Sequence, residues 1–86
     1  MDVEVAEHTK EEIAWLGKEI YQRDIRPKIE AGNNGKVVAI DVRTGEYELG
    51  DNALLSATGL RRRLPNALIW FERVGYPTYI TLRSPR

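Results

Sequence analysis

The chain has 86 residues, 42% of them hydrophobic and 30% charged, enough for one modest domain with its own core and too few for two. Its 13 basic and 13 acidic residues cancel, so no overall field draws it to nucleic acid or an anionic membrane. It contains no cysteine, which removes disulfides, thiolate metal sites and thiol nucleophiles together.

The first eight residues are acidic where a secretory signal would be basic and then apolar. They read as a flexible leader, and residues 9–83 as a single α+β domain. Thr9-Lys10-Glu11-Glu12 fits a capping box and predicts a helix start. Ile13, Leu16, Gly17 and Ile20 then fall on one helical stripe, with Tyr21 at its margin. Trp15 falls nearly opposite that stripe, an exposed position for a large ring. Arg26-Pro27 is expected to end or kink the helix, and Ile25 and Ile29 leave the stripe in agreement with a bend. Residues 31–35, Ala-Gly-Asn-Asn-Gly, form a loop.

Residues 36–49 predict a β-hairpin. Val38, Ile40 and Val42 alternate with Val37, Ala39 and Asp41, and Arg43-Thr44-Gly45 supplies the turn. Gly50-Asp51 offers an N-cap for a second helix, whose stripe of Ala53, Ala57, Leu60 and Leu64 ends at Pro65. Gly59 within it marks either close packing on a strand or a break. Residues 67–74 and 78–82, separated by Gly75-Tyr76-Pro77, predict a second hairpin, and residues 84–86 a frayed tail. The expected order is αββαββ: two hairpins in one antiparallel sheet, with both helices on one face. The opposite face then keeps Trp70 or Phe71 uncovered, although Phe71 and one face of Tyr79 are otherwise expected in the core.

Residues 35–41, Gly-Lys-Val-Val-Ala-Ile-Asp, followed by Glu46-Tyr47-Glu48-Leu49-Gly50-Asp51, Leu64-Pro65-Asn66-Ala67 and Arg73-Val74-Gly75, resemble a pattern of small bacterial proteins of unknown function that carry a "GKWVAI"-type hairpin. The resemblance spans roughly residues 9–82. It departs from the pattern at Val37, where an aromatic residue is often found. It implies a protein that binds a partner, in an antitoxin-like role or beside the product of a neighbouring gene; the cytoplasmic compartment is expected instead from the absence of cysteine. It carries no catalytic residues to transfer.

Candidate chemistry is sparse. His8 is the single histidine and sits in the leader, where nothing holds an orienting partner beside it. Asp41, Glu46, Glu48 and Asp51 lack the spacing of a calcium loop and are explained as solvated strand edges and a helix cap. The glycines are too dispersed for a phosphate-cradling loop. No metal, cofactor or catalytic group is assigned, and the chain is expected not to be an enzyme.

The remaining candidates are contact residues. Trp15 and Trp70 are hard to bury together in so small a domain, and tryptophan is enriched at interface anchors. Arg61, Arg62 and Arg63 close the second helix, a position its dipole favours, and with Arg73 they suit an acidic or phosphate partner. The expected function is a protein-protein interaction or regulatory module, a homodimer or a heteromeric complex, with Trp15, Trp70, Arg61, Arg62 and Arg73 in the contact. The rival expectation is a nucleic-acid-binding regulator built on residues 61–63.

Overall fold

A computed structural model describes residues 9–76. Three α-helices, a π-helical turn and a three-stranded antiparallel sheet make an α+β domain. In chain order they are α1 (Lys10–Ile20), a π-helical turn (Tyr21–Ile25), α2 (Arg26–Ile29), β1 (Val37–Asp41), β2 (Tyr47–Gly50), α3 (Ala53–Arg63) and β3 (Ile69–Arg73).

The capping box forms as expected. The Glu12 amide donates to Thr9 Oγ1 at 3.0 Å and the Thr9 amide to Glu12 Oε1 at 2.9 Å. The helix does not end before Pro27. It widens instead into the π turn, where the Arg26 amide donates to the Tyr21 carbonyl, and runs on through α2. The widening has a packing reason. One extra residue in a turn sets back everything after it by about 100°, which returns Ile25 and Ile29 to the face that Ile20 and Tyr21 already present to the sheet. Ile25 is accordingly buried, and Ile29 packs on the same core.

The first hairpin also forms, with Val38 opposite Leu49 and Ile40 opposite Tyr47. Its turn is organised by Asp41, which is buried rather than solvated as the sequence suggested. The carboxylate accepts from Thr44 Oγ1 at 2.9 Å, and its other oxygen takes the Leu68 amide at 3.0 Å. Gly45 closes the turn at φ +84°, where a side chain would be strained. The cap of α3 is Asn52, not Asp51, its Oδ1 accepting from the Leu55 amide at 2.9 Å.

The strand order is β2-β1-β3. β3 therefore crosses over to pair with β1, with Val38 opposite Glu72 and Ile40 opposite Trp70. The described order is αββαβ, and the expected partner strand at 78–82 lies outside the described residues.

The helices do not share a face. By register, Val38, Ile40, Tyr47, Leu49, Trp70 and Glu72 lie on one side of the sheet, where they meet Ile20, Tyr21 and Ile25 of the first helix. Gly50 and Glu48 point the other way, and there a Cβ on Gly59 of α3 would lie 2.7 Å from Glu48 Cγ, and one on Gly50 2.8 Å from the Ser56 nitrogen. The reason is in β1, whose five residues are all buried. Val37 and Ala39 on one side need cover as much as Val38 and Ile40 on the other, and a single helical layer cannot supply both.

Gly17 shows how closely α1 sits on the sheet: a Cβ there would overlap the Trp70 side chain from its own Cβ outward. Alanine raises helix propensity by roughly 1 kcal/mol over glycine, so on propensity alone Gly17→Ala would stabilise the chain. The expected outcome is the opposite, a loss of roughly 1–3 kcal/mol from overpacking, measured by urea denaturation. An unchanged or higher midpoint would show that α1 can move off Trp70.

Candidate functional site

The five contact residues expected from the sequence do not come together. Trp15 stands on the outer side of α1, 62% exposed, and lines a shallow depression with Glu11, Glu12 and Leu16. Arg61 and Arg62 are exposed on the last turn of α3, which covers the opposite face of the sheet. No hydrogen bond or ion pair engages either of them among the described residues. Arg63 is engaged: it pairs with Glu46 at 2.7 Å and Glu48 at 3.0 Å and donates to the Tyr47 carbonyl at 2.8 Å. The arginine run thus serves in part to pin α3 to β2. Arg73 Nη1 donates to the Gly35 carbonyl at 3.0 Å, and its guanidinium lies 5.8 Å from the centre of the Tyr76 ring.

Trp70 is the main change from expectation. It is half-buried and packs on the core beneath α1, while Phe71, expected inside, is 41% exposed. One residue of strand parity decides the exchange: Trp70 shares its side of the sheet with Ile40, and Phe71 points to the other. On that other side α3 lies over β1 and β2 rather than β3.

A second feature, not among the contact residues expected above, is a cleft of about 150 Å³ where the π turn passes the end of β3, lined by Tyr21, Arg26, Glu30, Glu72, Arg73 and Tyr76 among others. Glu72 is 5% exposed and Tyr21 4% exposed. The acid is buried because its register opposite Val38 places it on the side that the first helix covers. Its Oε2 accepts from the Trp70 indole Nε1–H at 2.8 Å. Burial pushes the Glu72 carboxyl above the ordinary glutamate range, against the opposing pull of that indole and of the Lys18 charge. Burial likewise raises the Tyr21 phenol, assisted by the charges of Glu72 and Glu30. The rim is held by Arg26, which pairs with Glu30 at 3.1 Å and donates to Gln22 Oε1 at 2.8 Å. The traces in the sequence were the phase jump at Ile25 and Ile29 and an acid two places after Trp70.

Among the described residues no group of three or more His, Asp or Glu stands where it could hold a metal ion. None of the helices described is long and apolar enough to cross a membrane. His8 lies outside the described residues.

Glu72 makes stability depend on pH with a definite sign. Its folded form holds the proton more tightly than the unfolded chain does, so this contribution is complete below the ordinary glutamate range and is lost as pH rises through the raised folded value. Glu72→Gln keeps the shape and an acceptor for the indole but cannot ionise. Its stability relative to wild type is expected to improve as pH rises across that window, read from urea midpoints at several pH values. A difference that stays level with pH would mean the carboxyl is solvated. Comparison of the chain with family models, with curated proteins and with solved structures finds no match.

Proposed function

We propose that this chain is a non-enzymatic binding module that acts by protein-protein contact in the cytoplasm, with Trp15 as the anchor of the contact. The observation that carries the reading is the exposure of that indole, 62%, on a helix whose opposite side is committed to the sheet. Leu16 extends the apolar surface beside it, and Glu11 and Glu12 flank the depression, an arrangement of apolar centre and charged rim that protein interfaces share. Covering an aromatic ring of this kind at about 25 cal/mol per Å² supplies a few kcal/mol of association energy. Leu54, Leu55 and Phe71 leave further apolar surface open elsewhere, which suits a module that meets either a second copy of itself or another protein.

The rival reading, nucleic-acid binding through the α3 terminus, draws on Arg61 and Arg62 alone, since Arg63 is spent on Glu46 and Glu48. Salt separates the two. Phosphate contacts weaken steeply as salt rises, whereas an apolar anchor does not.

The test compares wild type with Trp15→Ala. The substitution is expected to leave the thermal unfolding curve within about 0.5 kcal/mol of wild type, as surface changes do. It is expected to weaken association by about tenfold or more, seen as a lower weight-average mass in sedimentation equilibrium or as loss of a protein retained by the immobilised wild-type chain. A wild-type chain that stays monomeric across the micromolar range, and retains nothing that the alanine variant loses, would reject the reading.

A further inference from the structure

The cleft at the π turn has an unmet polar demand at its floor. Glu72 is almost wholly buried, yet among the described residues its single hydrogen bond is the one from Trp70 to Oε2, so no donor reaches Oε1. Tyr21, an equally buried residue, has no hydrogen bond to its hydroxyl among the same residues. Buried oxygens without donors are uncommon in folded proteins and mark places where something else completes the set.

The cations at the rim do not complete it. Arg26 is held by Glu30 and Gln22, and Arg73 by the Gly35 carbonyl and the Tyr76 ring. Neither donates a hydrogen bond to the Glu72 carboxylate among the described residues. What the floor lacks is therefore a donor, and one carrying positive charge answers a buried carboxyl best. Glu30 at the mouth is already paired with Arg26, so the charge left for an incoming group to answer is that of Glu72. The two aromatic residues lining the space, Tyr21 and Tyr76, favour positive charge through their ring faces.

We propose that this cleft receives the cationic head of an alkylguanidinium or alkylammonium group, with Glu72 Oε1 and the Tyr21 hydroxyl accepting its N–H bonds. Its size, about 150 Å³, suits such a head with a few methylenes. The group can come from a free amine or from a basic side chain of a protein. This inference does not depend on the Trp15 surface.

The chain has two tryptophans, hence two indole N–H resonances, and that of Trp70 lies on Glu72. In ¹⁵N-labelled protein, identified with Trp15→Ala, the Trp70 indole signal is expected to shift saturably when methylguanidinium or butylammonium chloride is added, and not with sodium chloride at equal ionic strength. The Trp15 signal stays in place. Glu72→Gln is expected to weaken binding by about tenfold, and Tyr21→Phe by a smaller factor. Short arginine or lysine peptides that bind about tenfold tighter than the free cations assign a protein source, and equal affinity assigns a free amine. No saturable shift with either cation, or unchanged affinity in Glu72→Gln, overturns the proposal. If that variant does not fold, unchanged affinity in Tyr21→Phe overturns it instead. Failure of Trp15→Ala to alter association while these shifts persist leaves this site standing and removes only the reading of the helix surface.

Discussion

The burial of β1 on both of its faces and both of its edges is the constraint from which the remaining structure follows. Five residues, Val37 to Asp41, carry almost no solvent exposure, so each direction around the strand must be filled. β2 and β3 fill the edges by hydrogen bonding, and the two helical layers fill the faces. The widened turn in the first helix is part of the same demand, because it keeps isoleucines over Val38 and Ile40 for longer than a regular helix would. The closeness of Gly17 to Trp70 and of Gly59 to Glu48 follows too: where a thin sheet is covered on both sides, the helix positions nearest to it have room for little more than a hydrogen.

What could be read from the sequence was whatever depends on neighbours a few places away. The capping box at Thr9, the hairpin and the exposure of Trp15 each follow from local spacing, and the structure contains all three. The two-sided cover of β1 was harder to see. Val37 and Ala39 read as the outward half of an alternating strand, because their apolar side chains fit that pattern as well as they fit a buried one. At Pro27 the sequence leaves an end and a kink both open, and the structure holds a widened turn that lets the helix continue. A proline argues against a regular helix, but it has no amide to lose where a wider turn has already shifted the hydrogen bonds.

The candidate site divides in the same way. That residues 61–63 end a helix was local information; that Arg63 alone is drawn to Glu46 and Glu48 depends on a packing between elements the sequence does not display. Glu72 was the least visible of all. It looks like an ordinary polar break in a strand, and it becomes a buried acid only when the register with Val38 and the path of the first helix are both known. The exchange of Trp70 and Phe71 between core and surface is the same lesson at one-residue resolution, since two adjacent aromatics in a strand carry no local mark of which one faces in.

The position of β3 has a consequence for how the chain acquires its structure. β1 and β2 are joined by a short turn and can meet early, but the strand that completes the other edge of β1 lies about thirty residues further along, so its arrival must wait for a long loop to close. Until then the most apolar of the described strands presents an open edge. During synthesis this interval is lengthened, because α3 and β3 leave the ribosome after β1 and β2, and it is in that interval that the chain is most open to mispairing with another nascent copy.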